Sequence, residues 1–141
     1  MAIVGFNFTK INVERTGKLD PKDKIANSIN LLEIQEEKLP FSEGKGLLKL
    51  DFQFDITYGK VGKMSLNGVV LLMDEPNKTK EILESWNKDR KLEQKVSTEV
   101  FNTILFKCNI KALQLADDLN LPAHFRIPLI RIKTEETSKK E

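Results

Sequence analysis

Residues 49–58 read KLDFQFDITY, and this stretch decides the fold. Leu50, Phe52, Phe54, Ile56 and Tyr58 alternate with Lys49, Asp51, Gln53, Asp55 and Thr57. Successive strand side chains point to opposite faces, so strict alternation makes one apolar and one wet face, as in a half-buried antiparallel strand. Gly59 and Lys60 follow as a short turn signal, and residues 61–73 resume β character, which predicts a hairpin. Asn67 and Gly68 read as a bulge inside the second arm, because Val69, Val70, Leu71 and Leu72 continue the β-like run.

Upstream the β reading continues with irregular phase. Phe6, Phe8, Ile11 and Val13 are apolar, but the period shifts between Phe8 and Ile11, as a bulge or burial on both faces would cause. Asp20, Pro21, Lys22 and Asp23 form a turn cluster. Ile29, Leu31, Leu32 and Ile34 then fall on both faces, and period alone does not separate a strand from a short helix there.

Downstream the period changes. Asp74, Glu75, Pro76 and Asn77 start a short charged helix whose narrow stripe is Ile82, Leu83 and Trp86, ending near Leu92. Ser97 or Thr98 can cap a second helix with Glu99 in its first turn. Phe101, Ile104, Leu105, Cys108, Ala112, Leu115, Ala116 and Leu119 keep 3, 4 spacing over about 20 residues, a helix of roughly 30 Å. Phe106, Ile110 and Leu113 recur on its opposite side. Two apolar faces imply a sandwiched helix, with a second subunit as the natural partner. Pro122 and Pro128 frame an extended run in which Phe125, Ile127 and Leu129 alternate, and residues 133–141 read as a disordered charged tail after a single domain of residues 1–132.

Composition narrows the function. The 141 residues suit one domain that needs no disulfide or metal staple. Cys108 and His124 are the only residues of their types, which excludes an intrachain disulfide, a Cys/His zinc cage and a paired-His site within the chain. Lys and Arg total 23 against 21 Asp and Glu, intermixed along the chain, so no basic nucleic-acid face is expected. No stretch reads as a signal peptide or a membrane span, and one unpaired cysteine fits a reducing cytoplasm. Phosphate-loop, dinucleotide and nucleophile-elbow motifs are absent, and Gly44, Lys45 and Gly46 read as a turn. Asp51 and Asp55 lie on the wet strand face without a third metal ligand, and Asp117 and Asp118 sit at a helix end where acids are unfavourable. Cys108 lies on the helix core stripe and reads as a buried small hydrophobe, and His124 reads as a loop histidine with a packing role. Phe41, between Pro40 and Ser42, is a loop aromatic open to a partner or ligand.

Two local motifs carry a family resemblance. Phe6, Asn7, Phe8, Thr9, Lys10 and Ile11 look like the F-N-I-Q-R-I opening of the bacterial export chaperone family SecB. Leu121 and Pro122, followed by Pro128 and Leu129, are similar to the F-P-x-L-x-L-x-P-V run after that family's long helix. The resemblance spans about residues 6–131. The chain departs from the family in the extra charged helix after Glu75 and in ending the proline run with Leu129, Ile130 and Arg131. It also mixes Lys49 with Asp51 and Asp55 on the wet face, so docking of an export motor is not carried over.

The resemblance implies an α+β fold: a four-stranded antiparallel sheet with a long helix packed on one face, plus a short extra helix. It implies a homo-oligomer, dimer or tetramer, and an ATP-independent holdase for non-native polypeptide clients. No cofactor, metal, nucleic acid or membrane insertion is implied. Of the candidate client-groove residues Phe6, Phe8, Phe41, Leu121, Pro122, Phe125 and Ile127, only Phe6, Leu121 and Pro122 match family motifs. The others follow from residue type and expected exposure, and Phe106, Ile110 and Leu113 are the candidate oligomer face. Two alternatives stay open: another non-catalytic binding module on the same fold, such as a dedicated antitoxin chaperone or a small-ligand protein, and an enzyme built on His124.

Overall fold

The computed structural model describes residues 1–18, 20, 22–40 and 44–124. Four strands, β1 (Ala2–Arg15), β2 (Ile25–Glu37), β3 (Gly46–Tyr58) and β4 (Gly62–Asp74), precede two helices, α1 (Pro76–Asp89) and α2 (Gln94–Asp118). The strands form one antiparallel sheet in the order β1-β4-β3-β2. The alternating stretch is the centre of this sheet. Leu48, Leu50, Phe52, Phe54, Ile56 and Tyr58 are all buried, and their outward neighbours Lys49, Asp51, Gln53 and Asp55 are half-buried. The architecture is thus the expected α+β fold.

The outer strands owe their irregular phase to bulges. Between Phe8 and Lys10 the β1–β4 register shifts by one residue, so Thr9 drops out of the pairing. Phe8 opposes Gly68 and Ile11 opposes Leu66, so both point to the same side of the sheet, where Phe8 packs on the core and Ile11 stays 45% exposed. A second shift between Ile3 and Gly5 does the same for Ile3 and Phe6. In β2 the shift between Leu31 and Glu33 leaves Leu32 as the extra residue, 47% exposed, while Ile29, Leu31 and Ile34 keep one face. A bulge inserts one residue and flips the phase of everything after it, which is why the segment matched neither period. The Asn67–Gly68 irregularity is real, but the extra residue belongs to the facing strand β1.

The β3–β4 turn forms as expected. Gly59 takes φ +59°, and Val61 N–H donates to Tyr58 O at 3.1 Å. Asp23 Oδ2 braces it by accepting from Lys60 N–H at 3.2 Å.

Both helices pack on the apolar face. Pro76 opens α1, where its missing N–H costs nothing, and Glu75 is the N-cap residue. The helix ends at Asp89, three residues before the expected Leu92, and Arg90 caps it in the left-handed conformation at φ +59°. Helix α2 begins at Gln94 with Glu93 as N-cap, one turn earlier than a cap at Ser97 or Thr98 would place it. Val96 and Val100 explain the early start: they extend the buried line Ile104, Cys108, Ala112 and Ala116 upstream, and their burial outweighs the missing side-chain cap. At the other end Leu121 N–H donates to Ala116 O and Asn120 N–H to Asp117 O, with Asn120 at φ +53°. This is a Schellman closure, which satisfies carbonyls the helix leaves open.

Candidate functional site

Order β1-β4-β3-β2 leaves β1 and β2 as edges, each with a row of backbone groups that no described strand pairs. Along β1, Phe6 and Phe8 are half-buried and lean on the buried ring of Phe52. Phe6 stacks on Phe52 with centroids 5.3 Å apart, and Phe8 meets Phe6 edge-on at 5.1 Å. Val4 at the first bulge and Ile11 beyond the second are 41% and 45% exposed. The β1 edge is therefore an apolar rail whose aromatic rings are held in place from below.

Helix α2 carries the second apolar surface. Phe106 is 66% exposed and Ile110 is 46% exposed, on the side away from the buried ridge, with Leu113 half-buried next to them. A hollow lined by Glu93, Lys95, Glu99 and Lys107 opens around Phe106. The helix thus has the two apolar sides expected from its sequence, and no described element covers the outer one.

After α2 the chain doubles back. Leu121 is only 7% exposed and belongs to the core, and Pro122 is half-buried. Leu121 is therefore not the open groove residue it was expected to be: closing the helix end draws its side chain under α2. His124 lies against α2 and the sheet, its Nε2 2.6 Å from Asn109 Oδ1 and its ring 6.2 Å from that of Phe54. This is the packing role expected for a loop histidine, and burial lowers its pKa below the ordinary 6.5. Phe41, Phe125, Ile127 and residues 133–141 lie outside the described residues.

A third feature has no local signature in the sequence. Ile29, Leu31, Trp86, Leu92 and Phe101 line a cleft of about 230 Å³ between the β2 edge, the end of α1 and the first turns of α2, with Arg90 and Ser97 at its rim. Trp86 and Phe101 each belong to the stripe of a different helix, and only the tertiary arrangement brings them to the same strand.

Cys108 is fully buried, and burial pushes its thiol up to about 12, so the reactive thiolate is suppressed. Among the described residues no three His, Cys, Asp or Glu side chains gather as a metal site. No described helix is long and apolar enough to cross a membrane. What the surface can do is capture apolar side chains and pair with an extended backbone.

No protein-family profile and no curated protein matches the chain. Among solved structures the fold is similar to a Mycobacterium tuberculosis SecB-like chaperone in complex with a ChAD peptide from the HigA1 antitoxin. The TM-score is 0.50 at 13% sequence identity, over 94% of this chain and 92% of that one. The chain therefore has a SecB-like fold.

Proposed function

We propose that the protein is an ATP-independent holdase that binds extended, non-native polypeptides. The carrying observation is an unpaired strand edge, β1, that also presents the exposed apolar side chains Val4 and Ile11 beside the half-buried rings of Phe6 and Phe8. Main-chain pairing at an edge supplies affinity with little sequence preference, and apolar side chains next to it select unfolded segments over folded ones. Binding the unfolded state withdraws it from aggregation by mass action. The SecB-like fold supports this reading, because a protein of that fold binds a peptide. We assign the chain no catalytic step and no cofactor, place it in the cytoplasm, and assign the α2 outer face to contact between copies in a dimer or tetramer.

The deciding experiment is suppression of light scattering from a chemically denatured client, without nucleotide. Full suppression at stoichiometric protein is expected, and undiminished aggregation overturns the reading. A narrower version, service to one partner such as an antitoxin, is favoured by the antitoxin peptide in the similar structure. Protection of one partner and of no general client would select it.

A further inference from the structure

After α2 the chain doubles back in a definite direction. Leu121 N–H donates to Ala116 O, and three residues later His124 Nε2 lies 2.6 Å from Asn109 Oδ1. Seven helical residues rise about 10 Å, and three extended residues span the same length. The chain from Leu121 to His124 therefore runs extended and antiparallel to α2. Asn109, Leu105, Phe101 and Ser97 stand about one helical turn apart on one side of α2, and the last two line the 230 Å³ cleft with Ile29 and Leu31 of β2. His124 meets the ring of Phe54, which opposes Ile29 in the sheet. The described chain thus stops at one mouth of a channel and heads into it. Half-buried Leu105 and Phe101 form one wall, and half-buried Ile29 and Leu31 form the other.

The residues that follow match this channel in polarity and in charge. Phe125, Ile127 and Leu129 alternate with Arg126 and Pro128, so an extended run presents one apolar side. Arg126, Arg131 and Lys133 are the only charges in residues 125–133, and Glu33, Glu36 and Glu37 are the only charges in β2. Those acids follow Leu31 along β2, in the direction in which the chain is heading. From Asn109 to Phe101 is eight helical residues, a distance that about four extended residues cover. The β2 edge is also poorly suited to pairing with another strand. Leu32 is its bulge residue, and Arg90 Nη1 donates to Leu32 O at 3.5 Å.

We propose that residues 125–129 are a cis strap whose Phe125 and Ile127 fill the channel between α2 and β2, against Leu105, Phe101, Ile29 and Leu31. The occupant of this apolar surface is the chain's own continuation. Its tether makes the contact intramolecular, so it outcompetes segments from solution through a high effective concentration. With β2 strapped, bulged and covered by Arg90, β1 is the edge left open to another chain. The strap stands on this geometry alone, whereas client capture at β1 rests on the holdase reading.

Leu31→Cys combined with Ile127→Cys in the full chain tests the seat of the strap. Cys108 is fully buried and stays in place. A disulfide needs Cα atoms within about 7 Å of each other. Mild oxidation should therefore close the intrachain 31–127 bond at least tenfold faster than the bond of a control pair, Ile11→Cys with Ile127→Cys, whose first cysteine lies on β1. Equal rates, or a faster control, overturn the strap. Phe125→Asp with Ile127→Asp should raise hydrogen exchange of residues 27–33 at least threefold and leave residues 64–70 of β4 unchanged. Unchanged exchange in β2, or equal acceleration of both strands, also overturns it. The oxidised 31–127 protein, with its strap locked, should suppress light scattering from a denatured client as fully as its reduced form. If locking abolishes suppression, clients enter the β2 channel, and the assignment of β1 as the open edge fails while the holdase reading stands. If the disulfide closes and neither form suppresses scattering, the holdase reading fails and the strap stands.

Discussion

Gly68 lies directly across from Phe52, and a methyl group on Gly68 would sit 2.6 Å from Phe52 Cζ. The missing side chain gives the Phe52 ring the space from which it supports Phe6 and Phe8. Phe8 opposes Gly68 on the other side, so the glycine is flanked by two phenylalanines. Gly68→Ala should therefore cost about 1–3 kcal/mol, the range for overpacking a filled core. Urea unfolding would show it, and a midpoint equal to the parent's would refute the close approach. The same variant should weaken client binding if Phe6 and Phe8 form the rail, because the ring beneath them moves.

Arg15 ties the end of β1 to the chain just after α2. Asp117 and Asp118 lie at the negative end of the α2 dipole. Arg15 reaches from the end of β1 and donates from Nη1 to Leu119 O at 3.2 Å and to Asn120 O. Arg15→Met should cost about 0.5–1.5 kcal/mol, the net scale of an ordinary hydrogen bond, because Arg15 is exposed to solvent. Arg15→Lys should recover only part of this, and equal thermal midpoints for all three proteins would show that the contact adds nothing.

The outer face of α2 predicts an oligomer. Replacing Phe106, Ile110 and Leu113 by Glu, Gln and Gln should lower the mass in sedimentation to that of one chain. The circular dichroism spectrum should be preserved, since Phe106 and Ile110 contribute exposed area in the single chain. A parent that already sediments as a monomer would remove this role from the three residues.

His124 predicts an acid limb of stability. Its folded pKa lies below the unfolded 6.5 because burial disfavours the imidazolium. The unfolded chain therefore binds more protons as pH falls through 6.5, and the stabilisation present above 6.5 is lost progressively below it. One group can contribute a slope of at most about 1.4 kcal/mol per pH unit. His124→Gln keeps an N–H donor for Asn109 and removes the titration. The fall in midpoint between pH 7 and pH 5 should be smaller in the variant, and parallel curves would show that His124 titrates normally.

The strand 49–58 was legible because it is central, straight and wet on one side only, so every residue obeys period two. Its neighbours were less legible for a physical reason. Edge strands carry bulges, and a bulge at Thr9 or Leu32 shifts the phase without changing composition. The start of α2 was misplaced because local capping chemistry at Ser97 and Thr98 competed with the burial of Val96 and Val100, which only the packed sheet rewards. Among the candidate groove residues, Phe6 and Phe8 lie on a strand as expected, one that the sheet order makes an edge, and Leu121 is buried at the helix closure.

By itself the sequence determined the α+β class, the central hairpin and the two-sided long helix. Each of these is written in the local order of polar and apolar residues. Only the tertiary structure decided which strands are edges, where Trp86, Phe101 and Leu31 meet, and that Arg15 bonds the carbonyls just beyond α2. Those contacts join residues far apart in the chain, and no local period encodes which apolar stripe packs against which. The surface proposed for clients belongs to this second kind: it is apolar area left over after the core has closed.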